Sequence, residues 1–113
     1  MAPEGISKNF RILIADDDGQ LSRRLSSFLK EKQFDVRSVS NGKELMKELG
    51  DWVPHFVLSD LMLPDCNAID LLSFLKTHVL LKEKDVKVLV TSGHNSLQNV
   101  KECLAAGASD YII

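Results

Sequence analysis

The stretch Ile12-Leu13-Ile14-Ala15-Asp16-Asp17-Asp18 joins an unbroken apolar run to three acidic residues. A second apolar run, Phe56-Val57-Leu58-Ser59, ends in the same way, on Asp60. Continuous apolar strands are typical of a parallel sheet that is buried on both faces. In such a sheet the functional crevice lies outside the carboxyl ends of the strands. We therefore expect Asp16, Asp17 and Asp60 to meet at one edge of the sheet.

Carboxylates gathered in this way predict a cation site. At ~5 Å and an effective dielectric constant of ~20, two carboxylates repel each other by about 3 kcal/mol. A fold keeps such a cluster when a positive group lies within it. Because no histidine lies near either acidic segment, we expect Mg²⁺, which prefers hard oxygen ligands, rather than Zn²⁺.

The length and composition of the chain predict one soluble domain that spans residues 1–113. A formal net charge of −2 favours neither nucleic acid nor an anionic membrane as a partner. The N-terminus has no signal-peptide pattern, and we expect residues 1–9 to form a flexible extension. No apolar run approaches the ~20 residues that cross a bilayer. We expect a cytoplasmic protein, with Cys66 and Cys103 as free thiols.

Strand and helix signals alternate along the whole chain, which predicts a parallel α/β sheet with right-handed crossovers and helices on both faces. Five-stranded sheets of this kind commonly have the flavodoxin-like, doubly wound order 2-1-3-4-5, an order taken from known folds of the class. It makes the first and third strands neighbours. The expected strands are 11–15, 35–39, 56–60, 86–90 and 110–113.

Four helices are expected between these strands, from the spacing of their apolar residues and from their end signals. They run from Asp18 or Gly19 to Gln33, from Asn41-Gly42 to Gly50, through Leu72, Leu75 and Val79 to the charged turn 82–85, and through Leu97, Val100 and Leu104 to Gly107.

The predicted cation site also favours phosphoryl chemistry. A carboxylate can act as a nucleophile, and aspartyl phosphate is an established covalent intermediate. A cation would offset the repulsion between Asp60 and an incoming phosphoryl group. Thr91, at the end of the fourth strand, offers a hydroxyl that could donate to a phosphate oxygen, a bond worth about 1.5–3 kcal/mol. Backbone N–H groups in the turns 60–64 and 91–93 could complete an anion site.

At this point the sequence closely resembles the receiver domain of bacterial two-component response regulators. The matching motifs follow the family's order along nearly the whole chain, and together they are specific. They are Ile-Leu-Ile-Ala-Asp-Asp-Asp at 12–18, Asp60-Leu-Met-Leu-Pro64, Thr91-Ser92 and Gly107-Ala-Ser-Asp-Tyr111.

The resemblance implies a role for each matching residue. Asp60 would accept a phosphoryl group from a histidine kinase or phosphotransfer protein. Asp16, Asp17, Asp60 and the backbone carbonyl of Met62 would hold Mg²⁺. Thr91 and Tyr111 would sense the phosphoryl group, and a change of surface would be passed to an effector.

Two features depart from the family's pattern. Ala68 stands where the family usually has glycine, which matters only if the backbone there needs a positive φ. The family's lysine and fifth helix would follow Ile113, where the sequence ends. We therefore expect a truncated form of a longer protein, with the apolar stripe Leu21, Leu25 and Phe28 partly uncovered. A homodimer or a domain swap could cover that stripe.

Three functions remain open on the sequence alone. The first is a phosphorylation-dependent signalling switch, which is a binding module with slow self-catalysed phosphotransfer rather than an enzyme. The second is a pseudo-receiver, a docking or dimerisation module that works without phosphate; the missing lysine favours it, and the intact acidic set argues against it. The third is a Mg²⁺-dependent phosphatase, which generally has a second carboxylate where this chain has Met62. We rank the switch first and the phosphatase last.

Overall fold

The computed structural model describes residues 10–78, 81, 84–91 and 97–112, without the side chains of residues 97–99, 111 and 112. Parallel strands alternate with helices along this part of the chain. The strands are β1 (Arg11–Ala15), β2 (Asp35–Val39), β3 (Phe56–Asp60), β4 (Lys87–Thr91) and β5 (Asp110–Ile112). The helices are α1 (Gly19–Glu31), α2 (Gly42–Asp51), α3 (Ala68–Thr77) and α4 (Leu97–Ala106).

The predicted α/β fold with a parallel sheet and four helices is confirmed. The strands lie in the order β2-β1-β3-β4-β5. The last of these, β5, is three residues long and pairs with β4 from Asp110 to Ile112. The final residue of the predicted fifth strand, Ile113, and the positions that would follow it lie outside the described residues, as does the N-terminal segment 1–9.

Side chains at the helix N-termini fix where the helices begin. Asp18 accepts hydrogen bonds from the N–H groups of Gln20 and Leu21, at 3.1 and 3.2 Å, and so caps α1. Asn67 and Asp70 form a reciprocal capping box at the start of α3. These bonds satisfy N–H groups that have no partner within the helix.

Several element boundaries differ from the prediction, among them the end of α1, which is at Glu31 rather than at Gln33. The prediction started β4 at the apolar Val86, whereas the strand runs from Lys87 to Thr91, so that Thr91 is itself a strand residue. The apolar stripe of α3 predicted a helix that continues past Val79, but the helix ends at Thr77. The Thr77 hydroxyl donates to the carbonyl of Ser73 at 2.9 Å, a local bond that competes with helical geometry. Val79 and part of the charged turn lie outside the described residues.

Ala68, which replaces the family's usual glycine, is buried as the first residue of α3. In the described part of the chain, the non-glycine residues with positive φ are Gln33, Val53 and Asp85. Alanine at position 68 therefore carries no backbone penalty in this fold.

The hydrophobic core lies mainly on one face of the sheet. Strand residues such as Leu13, Val57 and Val90, each fully buried, pack there in one cluster with Leu49 of α2 and Leu71 of α3. This cluster holds most of the buried apolar side chains and fixes α2, α3 and α4 against the sheet.

The opposite face of the sheet is less covered. Leu21 and Phe28 of α1 are 42% and 55% exposed, and Leu25 is half-buried, so the predicted stripe is partly uncovered. An apolar groove runs beside it, lined by Phe10, Ile12, Leu29, Phe34, Phe56, Leu58 and Leu89. Whether a second copy of the chain covers this face stays a prediction. Within the described residues, no helix has the length and apolar character needed to cross a membrane.

Candidate metal centre

The structure brings together three carboxylates from two segments that are far apart in sequence. Asp16, Asp17 and Asp60 each place one oxygen within 4.8 Å of the others. Asp16 is buried at 8% exposure, Asp60 is half-buried and Asp17 is exposed. The cluster therefore opens to solvent on one side.

Strand register explains why these residues meet. β1 pairs with β3 from Ile12 and Phe56 to Ala15 and Ser59, so the next residues, Asp16 and Asp60, lie at the same edge of the sheet. The Asp16 N–H donates to the carbonyl of Val39 at 3.1 Å, which fixes the end of β1 against the end of β2.

The three consecutive acids have different roles. One oxygen of Asp16 accepts the N–H of Asp18 at 2.9 Å, which orients the carboxylate. Asp18 itself turns away to cap α1, while Asp16 and Asp17 contribute to the cluster. The triplet therefore supplies two candidate ligands and one helix cap.

The electrostatics of Asp60 indicate a site that lacks positive charge. Burial, and next the charge of Asp16, raise the pKa of Asp60, while hydrogen bonds from the N–H groups of Leu61 and Met62 act in the opposite direction. Among the described residues, the ion pairs of lysine and arginine involve other carboxylates than these three. Three carboxylates that have no lysine or arginine partner in the described part of the chain are a donor set that fits Mg²⁺, which combines a few carboxylates with carbonyl and water ligands.

The segment after Asp60 forms a small hairpin, defined here as residues 61–68. The N–H of Leu63 donates to the carbonyl of Cys66, and the N–H of Ala68 donates to that of Leu61, both at 2.8 Å. Met62 and Asn67 face each other between these two bonds. In such a pair, the backbone groups of the facing residues point away from the hairpin. Since the Met62 N–H reaches Asp60, its carbonyl lies on the same side, where the resemblance predicts a metal ligand.

Thr91 lies directly beside Asp60 in the sheet. The two residues are paired in register, so their side chains project from the same face. The Leu61 N–H donates to the Thr91 carbonyl at 2.8 Å, which anchors the start of the hairpin to β4. The Thr91 hydroxyl is thus positioned at the strand end that holds the Asp60 carboxylate.

The structure describes only the backbone of Tyr111, the other predicted sensing residue. Tyr111 belongs to β5, where its backbone pairs with Val90. Its side chain and residues 92–96 are not among the described parts of the chain, so the sensing role of Tyr111 stays a prediction.

Sequence analysis missed Asp65, at the tip of the hairpin. Its carboxylate accepts hydrogen bonds from the N–H groups of Gly42 and Lys43, at the start of α2. An acidic residue after a proline is ordinary in a loop, and its partners are more than twenty positions away. Local spacing rules have no signal for such a contact.

Comparison with known proteins agrees with this architecture. The family model for the response regulator receiver domain matches residues 12–113. The DNA-binding response regulator MtrA of Mycolicibacterium paratuberculosis is 32% identical over 103 residues, which are 91% of this chain and 44% of that protein. The DNA-binding transcriptional regulator NtrC of Rhizobium meliloti is 34% identical over 101 residues, which are 89% of this chain and 20% of that protein.

Among solved structures, the non-phosphorylated HemR receiver domain of Leptospira biflexa has a similar fold. Its TM-score is 0.81 at 27% identity, and the match covers 92% of this chain and 81% of that one. The chain therefore belongs to the response regulator receiver domain family. It spans less than half the length of the MtrA and NtrC relatives it matches.

Proposed function

We propose that this receiver domain is the phosphoacceptor switch of a two-component system, with Asp60 as the residue that takes the phosphoryl group. The observation that carries the proposal is the cluster of Asp16, Asp17 and Asp60 at adjoining strand ends, with no lysine or arginine paired to it in the described part of the chain. Such a cluster is costly unless it serves a cation and an anionic substrate.

The proposed ligands of Mg²⁺ are the carboxylates of Asp16, Asp17 and Asp60 and the backbone carbonyl of Met62. When bound, Mg²⁺ supplies positive charge that neutralises the acidic cluster and the oxygens of the incoming phosphoryl group. Asp16 is oriented for this by the Asp18 N–H, and Met62 by the hairpin. The residues of this chain therefore fit the metal that the resemblance implies.

In the proposed transfer, a carboxylate oxygen of Asp60 attacks the phosphorus of a phosphohistidine. The O–P bond forms as the N–P bond breaks, and the departing imidazole nitrogen keeps the electron pair of that bond. The Thr91 hydroxyl, in register beside Asp60, then donates to a phosphoryl oxygen. The phosphoryl group is transferred once and is then lost only slowly from Asp60. We therefore propose a signalling module rather than an enzyme with turnover.

The partners in this proposal are a histidine kinase or phosphotransfer protein on the input side and an effector on the output side. Support comes from the relatives, which are named as regulators and extend well beyond the matched region. A cytoplasmic location belongs to the same proposal. The pseudo-receiver and the phosphatase are not favoured, because the acidic set is intact and the Met62 side chain cannot transfer protons.

The test is an NMR titration of the chain with Mg²⁺ and then with beryllofluoride, a phosphoryl mimic. We expect Mg²⁺ to shift the amide signals of residues 16–18 and 60–62, and beryllofluoride to shift those near Thr91 and Tyr111. NMR is preferable to tryptophan fluorescence because Trp52, whose carbonyl accepts from the Arg11 side chain, lies by the amino end of β1, opposite the cluster.

Asp60→Asn should abolish both responses. The matched control is Asp18→Asn, which removes the same charge from the same edge but keeps a good helix cap. It should respond like the unmodified chain. A chain that shows no Mg²⁺-dependent shift at millimolar concentration would contradict the proposed switch and favour the pseudo-receiver.

A further inference from the structure

We infer that Asp65 is a positioning residue for the metal centre, which holds the Met62 hairpin against the first turn of α2. The inference rests on the proposed function, since it concerns the placement of the Met62 carbonyl as a metal ligand. Asp65 itself is not a member of the acidic cluster. It acts through the backbone of the hairpin.

The first observation is the capping of α2, which is shared between a local and a distant acceptor. The N–H of Glu44 donates to the side chain of Asn41 at 2.8 Å. The N–H groups of Gly42 and Lys43 donate instead to the two oxygens of Asp65, the second at 3.1 Å. Because helix N-termini need acceptors for these groups, removing Asp65 would leave two N–H groups without their partner. The Gly42 N–H is also the main cause of the lowered pKa of Asp65.

The second observation is steric and independent of charge. A Cβ atom added at Gly42 would overlap with the Cys66 Sγ. The same Cβ would also lie 2.9 Å from an oxygen of Asp65 and 3.1 Å from the Cys66 Cβ. Gly42 is buried. The tip of the hairpin therefore rests directly on the backbone of α2, at a distance that only glycine permits.

The third observation is the pair of backbone hydrogen bonds that closes the hairpin on either side of Met62. The backbone bonds Leu63 to Cys66 and Ala68 to Leu61 close the hairpin on both sides of Met62. Because these hydrogen bonds hold the two arms of the hairpin together, a shift of the tip at Asp65 is passed on along the hairpin backbone. It would move the Met62 carbonyl relative to the acidic cluster.

The first turn of α2 is also connected to the other ligand-bearing segment. Asp16 donates its N–H to Val39, and Asn41, two residues further along, is the N-cap of α2. The start of α2 thus lies between the Asp16 segment on one side and the Met62 hairpin on the other. By fastening the hairpin to α2, Asp65 sets the spacing between the carboxylate ligands and the carbonyl ligand.

The experiment measures Mg²⁺ affinity by NMR titration for the unmodified chain and three variants. Asp65→Asn keeps the size of the side chain but loses the charge and one acceptor oxygen. Gly42→Ala keeps every charge and disturbs the same contact sterically. Asp51→Asn is the matched control, because Asp51 is an exposed carboxylate of α2 that pairs only with Lys47 among the described residues.

We expect Asp65→Asn and Gly42→Ala each to weaken Mg²⁺ binding by about three- to tenfold. Direct hydrogen-bond partners of metal ligands give 10- to 100-fold effects, and Asp65 acts one step further away. Asp51→Asn should stay within about twofold of the unmodified chain. The double variant Asp65→Asn with Gly42→Ala should lose little more than either single variant, since both break one contact.

A second readout separates positioning from general destabilisation. In the unmodified chain, the amide signals of Gly42 and Lys43 should move with the Mg²⁺ titration although neither is a ligand, and this response should vanish in Asp65→Asn. Mg²⁺ affinity unchanged in both Asp65→Asn and Gly42→Ala would overturn the inference and leave the proposed function intact. Absence of Mg²⁺ binding to the unmodified chain would overturn both.

Discussion

Asp60 carries its charge in the folded chain at a cost, because burial and the neighbouring Asp16 both raise its pKa. In the unfolded chain the carboxyl has its ordinary pKa. Between the ordinary and the raised value, the folded chain binds the proton and the unfolded chain does not, so stability falls as the pH rises through this window. At neutral pH Asp60 is charged in both states of the chain, and the unfavourable surroundings of this charge then lower the free energy of unfolding by their full amount.

Asp60→Asn should therefore stabilise the metal-free chain at pH 7. Relief of the repulsion, discounted for solvent screening, gives about 1 kcal/mol in the free energy of unfolding. The gain should shrink as the pH falls through the raised pKa towards the ordinary one, since the unmodified carboxyl is then neutral as well. Urea unfolding of both chains in EDTA across this pH range measures the difference. A gain that stays constant with pH would show that charge is not its cause.

Asp65 affects the pH dependence of stability in the opposite direction to Asp60, because its pKa is lowered, first of all by the Gly42 N–H. Its contribution to stability is present above the ordinary pKa and is lost as the pH falls through the lowered value. The two carboxyl groups of the same loop region thus respond to acid in opposite directions. Comparison of Asp60→Asn with the unmodified chain isolates one of them.

Among the elements, α1 and α3 differ in how much of their apolar surface is buried. Leu71 of α3 is fully buried in the core cluster, whereas Phe28 of α1 is 55% exposed and lies under the Lys32 ammonium at 5.3 Å. Phe28 belongs to the apolar stripe that periodicity predicts for α1, and Leu71 is the apolar neighbour of Leu72 in the stripe predicted for α3. The sequence pattern alone does not tell them apart, because it shows which side of a helix is apolar and not what covers that side.

Leu71→Ala should therefore destabilise the chain by about 2–5 kcal/mol, the usual cost of a cavity in a packed core. Phe28→Ala should cost about 1 kcal/mol or less, since it opens no enclosed cavity. Chemical denaturation of the two variants at one temperature gives the comparison. Equal costs would mean that α1 is covered in solution, as a homodimer would cover it.

The strands were the most predictable elements because their apolar runs reflect burial directly. The runs 12–15 and 56–59 predicted strands buried on both faces, and the ends of both strands agree with the prediction, but Phe56 and Leu58 on the less covered face are only half-buried. The start of β4 was misplaced by one residue, because Val86 extends the apolar run without joining the sheet. The acidic cluster followed from the strand ends, whereas the Asp65 contact did not, since it depends on where two loops meet in space.

At the scale of the whole molecule, the Mg²⁺ proposal predicts a change in global stability. A ligand that binds only the folded state at about 100 times its dissociation constant adds about 2.7 kcal/mol. Mg²⁺ should therefore raise the melting temperature of the unmodified chain, and EDTA should reverse the rise. Asp60→Asn should show no Mg²⁺-dependent rise, because it lacks one carboxylate ligand. An equal rise with NaCl of matched ionic strength would indicate simple screening instead.

The close contact between Cys66 and Gly42 has a practical consequence for labelling studies. Cys103 is buried, so a thiol-reactive dye would attach preferentially to Cys66, which is half-buried. A dye there would act as a wedge at a junction that has no room for even one extra carbon. A fluorescent reporter should instead be attached to a cysteine introduced on the exposed side of α1, with Cys66 replaced by alanine.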